Sequence, residues 1–186
     1  MKFAIFSLFL SAVLLLGCTD SPISPTEPDN QSYQLIKLPP KSGMSVETVY
    51  SKTELIDGQT GGDIRIKEYY FTDNHQIVKI DAKLTIPKNA FTGSVNITMA
   101  IDDEYAAVSF GPSMVFDQPL EFDLKINGLD SSVLTSSSGS YKFIYVADNG
   151  STEDVANDGV DLDDMLKGLT VHNAQINHFS RYAFTR

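Results

Sequence analysis

One cysteine, three histidines and a shortage of basic side chains set the first limits on this 186-residue chain. The lone cysteine excludes an intrachain disulfide. Fourteen Lys and Arg face 24 Asp and Glu, for a net charge of −10. A surface of that sign disfavours nucleic acid and anionic lipid as partners, because both are held through Lys and Arg. Long apolar runs are missing too: the longest, Phe3 to Leu16, is too short for an ordinary membrane-spanning helix. No shift in composition marks a second domain, so the 42% of hydrophobic residues serve one core. Outside one C-terminal tripeptide, no serine, cysteine or carboxylate pair has a base placed beside it, and the residues call for no cofactor.

What is present is alternation. Val78, Ile80, Ala82, Leu84 and Ile86 alternate with Lys79, Asp81, Lys83 and Thr85. Val95, Ile97, Met99 and Ile101 then alternate with polar or small residues, as do Leu120, Phe122, Leu124 and Ile126. A period of two with one wet face is the pattern of a half-buried strand. Three such strands predict an antiparallel sheet covering a core, with Phe122 inside and Asp123 on the solvent face.

The N-terminus carries the most specific motif. Lys2 precedes the apolar run, which ends in Leu15-Leu16-Gly17-Cys18. This resembles the bacterial lipobox, with an aliphatic residue three before the cysteine, a small residue just before it and a thiol that accepts diacylglycerol. The resemblance implies a signal peptide over 1–17, cleavage before Cys18, and an anchor of acyl chains such as palmitate. Each buried methylene contributes about 0.8 kcal/mol, so several chains hold a protein on a bilayer without a spanning helix. Thr19 stands where an Asp would resemble an inner-membrane retention signal, so the expected location is the outer membrane. Residues 18–32, with Pro22, Pro25 and Pro28 and no apolar period, read as a flexible spacer.

From Tyr33 to Arg186 the chain reads as strands and turns. Leu35 to Leu38 is stopped by Pro39-Pro40, and Val46 to Ile56 is broken by Asp57-Gly58 and Gly61-Gly62. Ile64 to Phe71 turns at Asp73-Asn74, beside a solvated His75. Further strands are expected over Ala106 to Phe110, Tyr141 to Ala147, Leu169 to Ile176 and Arg181 to Phe184, roughly eight to ten in all, enough for two packed sheets. Asp161 to Lys167 reads as one or two helical turns stopped by Gly168.

Several of the turn residues carry a family resemblance. Gly61-Gly62-Asp63, Leu84 through Phe91, Phe110-Gly111-Pro112 and Phe116-Asp117-Gln118-Pro119-Leu120 resemble the domain named for zonula occludens and the uncoordinated netrin receptors, here the ZU-five type. Asn89 replaces the glycine usual in that family. The resemblance covers about residues 53–185, implies an antiparallel β-sandwich, and transfers no ligand. Pro119 is expected to begin a strand or lie at an edge.

Two stretches have chemical readings. Asp154, Asp158 and Asp161 lie in an acidic stretch read as a solvated loop, with an irregular calcium site as the alternative. Ala156 and Met165 fall where an EF-hand loop needs oxygen ligands, which excludes that motif. His178-Phe179-Ser180 resembles the cleavage site of self-processing ZU-five domains. That resemblance implies attack of the Ser180 hydroxyl on the Phe179 carbonyl with His178 as base. The alternative is a closing hairpin whose aromatics pack into the core. The expected function is a noncatalytic envelope lipoprotein that binds a protein or glycan or serves as a structural module; self-cleavage is the runner-up.

The lipobox generates a direct prediction. Cys18→Ser should leave the chain unprocessed or release it from membranes, and detergent partitioning of the two forms measures this. Equal partitioning after signal cleavage would remove the anchor.

Overall fold

The computed structural model describes residues 33–43, 50–134 and 141–186. The expected signal peptide 1–17, the expected lipidation site Cys18, the expected spacer 18–32 and the start of the strand expected from Val46 lie outside the described residues. Tyr33–Arg186 forms one compact unit.

The period-two segments become strands, with β1 (Ser51–Asp57), β2 (Gly62–Phe71), β3 (Ile77–Ile86), β4 (Ser94–Ile101), β5 (Ala107–Gly111) and β6 (Val115–Asn127) in the first half. A short helix α1 (Ser131–Leu134) precedes β7 (Lys142–Val146), β8 (Thr152–Asp154), β9 (Gly159–Asp163), β10 (Gly168–His178) and β11 (Arg181–Thr185). They form a six-stranded sheet, β1-β4-β5-β11-β7-β8, and a five-stranded sheet, β2-β3-β6-β10-β9. Every neighbouring pair is antiparallel. The protein is an all-β sandwich.

Three local expectations need correction. The alternating strands β3, β4 and β6 do not share one sheet: β3 pairs with β6, whereas β4 pairs with β1 in the other sheet. Alternation reports that one face is buried and is silent about the neighbour. The crossing follows Pro87, where Asn89 adopts φ 62° and Ala90 and Phe91 sink into the core. Pro119 lies inside β6 rather than at its start. It falls between Val115 and Leu120, where the register with β10 shifts, and beyond the last pair with β3, Thr85 with Glu121, so its missing N–H breaks no regular ladder. Finally, Asp161–Asp163 belongs to β9 and not to a helix. Pairing of Leu162 with Leu169 draws it into the sheet, and residues 164–167 form the turn, with Lys167 at φ 50°. The acidic stretch thus supplies both β8 and β9.

The turn before β2 shows why glycine is needed there. Gly61 has φ +72°, and a Cβ would lie 2.3 Å from the Ile86 carbonyl oxygen. Its N–H donates to the Asp57 carbonyl at 2.9 Å, while the Asp57 carboxylate accepts the Gln59 N–H at 2.8 Å.

The first described segment straps both sheets. Gln34 and Arg186 exchange backbone hydrogen bonds at 3.1 and 3.2 Å, and the Ile36 N–H donates to the Phe184 carbonyl at 3.0 Å. Farther on, the Tyr70 hydroxyl donates to the Pro39 carbonyl at 2.7 Å and the Ser42 N–H to the Phe71 carbonyl at 2.8 Å.

The core register follows the alternation. Leu120, Phe122, Leu124 and Ile126 are fully buried while Asp123 faces out. Asp123 is not idle: its carboxylate accepts the Asn173 N–H at 3.0 Å, where β10 bulges between Val171 and Ala174 and Asn173 sits at φ 49°. Phe122→Ala should therefore cost about 3–5 kcal/mol. Asp123→Ala should cost about 1 kcal/mol through the lost bulge hydrogen bond. Urea melts of both variants check the ranking, and a reversed order would mean the register is wrong.

Candidate functional site

The corner at 178–180 is built differently from a hairpin. β10 ends at His178 in the five-stranded sheet and β11 begins at Arg181 in the six-stranded one, so Phe179-Ser180 crosses between sheets. This corrects the expectation of a closing strand pair. Phe179 is drawn inward, stacked on Phe110 at 5.4 Å and edge-on to Phe116 at 4.7 Å. Its N–H donates to the Met114 carbonyl at 2.9 Å, and the Ser180 carbonyl accepts the Phe110 N–H at 2.9 Å. The backbone of the tripeptide is thereby held on both sides.

His178 and Ser180 lie close in sequence without being joined. The imidazole packs edge-on against Tyr145 at 4.8 Å and tilted against Tyr182 at 6.3 Å. Among the described residues, no hydrogen bond links it to the Ser180 hydroxyl. The Tyr182 hydroxyl donates to the His178 carbonyl at 2.6 Å, and burial raises its pKa far above the usual tyrosine value. Non-glycine residues with positive φ occur at His75, Asn89, Lys167 and Asn173, not at this corner. Nothing in these torsions supplies left-handed strain for an acyl shift.

The three aspartates of the calcium alternative are each engaged separately. Asp154 accepts from Lys142 Nζ at 3.0 Å and from the Tyr33 hydroxyl at 3.1 Å; the Lys142 hydrogen bond holds its carboxyl below the usual carboxylate range. Asp158 accepts from Asn173 Nδ2 at 3.0 Å, and Asp161 lies 3.0 Å from His172 Nε2. Among the described residues no group of three or more His, Cys, Asp or Glu side chains is placed to hold a metal ion.

A different constellation lies on the outer face of the five-stranded sheet. Register places Lys67 opposite Asp81 and Asp81 opposite Lys125, across β2, β3 and β6. The next row runs Tyr69, Lys79, Asn127. These six side chains line an open groove of about 320 Å³. Beyond it the Tyr69 ring, 61% exposed, stands edge-on to Phe71 at 5.9 Å, and Ile77 is also exposed. The sequence signal was each strand's wet face; no strand alone reveals that three of them converge.

No family model, curated sequence or solved structure matches this chain. The motif residues nevertheless have clear places in the sandwich. Gly61-Gly62 lies at the turn into β2, Pro87 through Phe91 makes the crossing between sheets, and the Gly111–Pro112 peptide, which is cis, follows β5. Phe116 through Leu120 lies within β6.

Asp81 is the electrostatic pivot of the groove. Partial burial opposes its ionisation, but Arg65 Nε and Nη2 reach its two oxygens at 3.0 and 2.8 Å and Lys67 Nζ approaches to 3.4 Å, and these outweigh it. The carboxyl is held below its ordinary range. A depressed native pKa contributes stability above the unfolded value that is lost as pH falls below about 4. Asp81→Asn should therefore lose less stability than wild type between neutral pH and about pH 3, read as the shift in urea midpoint. Equal acid losses would mean that the ion pairs contribute nothing to folding.

Proposed function

We propose that this chain is a cell-envelope lipoprotein, anchored in the outer membrane through acyl chains on Cys18, whose ZU-five-like sandwich is a noncatalytic binding or structural module. The observation that carries the reading is Leu15-Leu16-Gly17-Cys18, with the only cysteine of the chain immediately after an apolar run and ahead of a proline-rich spacer. The partners it implies are the membrane, through the lipid, and an envelope protein or glycan, through the sandwich.

The packing of the C-terminal corner supports the noncatalytic part. A self-cleaving site needs a hydroxyl activated by an adjacent base and a carbonyl poised for attack. Here the His178 ring is engaged by Tyr145 and Tyr182, while Phe179 is fixed in the aromatic core. The alternative, cleavage between Phe179 and Ser180, rests on the tripeptide motif alone.

Denaturing mass spectrometry separates the two. Cleavage would release the seven residues Ser180–Arg186 on denaturation, although β11 lies between β5 and β7 and would hold that peptide in the native state. After long incubation at neutral pH, the wild-type chain should be one species that retains the peptide. A loss of it abolished by Ser180→Ala would overturn the noncatalytic reading.

A further inference from the structure

The geometry points to the groove across β2, β3 and β6 as a binding site for a carboxylate-bearing glycan; this rests on the binding-module reading above. Charge is the first argument. In a chain of net charge −10, Lys67, Lys79 and Lys125 converge on one groove; of its two acidic residues, Asp81 and Glu68, Asp81 is already held by Arg65 and Lys67. Lys79 and Lys125 make no ion pair or hydrogen bond among the described residues. Their charge is therefore available to an incoming anion, and charge-assisted hydrogen bonds are the strong ones. At the far edge of the same sheet, β9 carries Asp161 and Asp163, with Asp158 just before it.

Shape and chemistry narrow the class. The groove lies on the face of the sheet rather than along the edge that β2 forms, and β3 and β6 are each paired on both sides, so a ligand seated in it meets side chains rather than an open ladder. Recognition falls to side chains. Tyr69 presents a ring fixed against Phe71, and the electron-rich face of an aromatic ring favours the C–H face of a sugar. Asn127, beside Lys79, turns its Oδ1 into the protein, where it is buried without a partner, so the acceptor oxygens for sugar hydroxyls are those of Asp81. The volume of about 320 Å³ lies at the small end of the usual ligand-site range, about 300–1,000 Å³. Arg65, the bidentate fork of the face, is spent on Asp81, which leaves two lysines as point charges for the anionic groups of the glycan.

The test uses the full chain in detergent micelles, with polygalacturonate as the acidic glycan, dextran as the neutral one and poly-glutamate as the acidic peptide. Wild type should bind polygalacturonate at low salt and weaken as salt rises, while dextran should not bind. Lys79→Gln with Lys125→Gln, and separately Tyr69→Ala, should each weaken binding by about tenfold or more. The melting temperature should hold in each, since all three side chains lie on the outer face. Lys88→Gln, away from the groove, should bind as wild type does. No binding to polygalacturonate, equal binding of dextran, or undiminished binding by the double variant would overturn the site. Tighter binding of poly-glutamate, unaffected by Tyr69→Ala, would replace the glycan with an acidic peptide and likewise overturn it. Membrane partitioning of Cys18→Ser is read independently, so loss of the anchor with groove binding intact would sink the lipoprotein reading and leave this one standing.

Discussion

The contact on which the sandwich depends is the meeting of Phe122 with the opposing sheet. Its ring lies edge-on to Phe110 of β5 at 5.2 Å and against Phe143 of β7 at 5.9 Å. One residue of β6 thus joins strands on both sides of β11. Around it, Phe179, Tyr182 and Phe184 extend the aromatic layer from the last crossing and the last strand. Aromatic side chains bury large areas and pack with preferred angles, so this layer sets both the spacing and the relative alignment of the two sheets.

That layer also explains how the chain closes. β11 is interior to the six-stranded sheet although it is last in sequence, and the segment that begins at Tyr33 continues its pairing where β5 leaves off. The Phe184 N–H donates to the carbonyl of Ala106, just before β5, and the Phe184 carbonyl accepts from Ile36, so one residue is shared between the approach to β5 and the strap. The Thr185 hydroxyl, fully buried, donates to the Gln34 carbonyl at 2.9 Å. Both ends of the described unit are therefore tied to each other by backbone and side-chain hydrogen bonds that water cannot easily replace.

In the tripeptide at 178–180, Phe179 packs against Phe110 and Phe116 and the His178 ring against Tyr145 and Tyr182. The outer face of the five-stranded sheet is built on paired strands and carries a row of polar and charged side chains, the setting in which binding surfaces arise on antiparallel sheets. Asp81 shows how the two interests meet: its pairs with Arg65 and Lys67 link β2 to β3, and by engaging those partners it leaves Lys79 and Lys125 unopposed.

The sequence by itself determined which residues face the core. The alternation in β3, β4 and β6 and the breaks at Asp57-Gly58, Gly61-Gly62 and Asp73-Asn74 are local consequences of pleat geometry and turn torsions, so they are legible along the chain. Which strand lies beside which was decided only by tertiary structure, because pairing depends on contacts between distant segments and the side-chain period is the same whichever neighbour is chosen. So β4 left its expected companions for β1, β10 and β11 fell into different sheets, and Asp161–Asp163 became a strand where local propensity suggested a helical turn. The groove has the same origin: Lys79, Asp81, Lys125 and Asn127 are ordinary solvent-face residues in sequence, and become a site only when antiparallel pairing sets β2, β3 and β6 side by side.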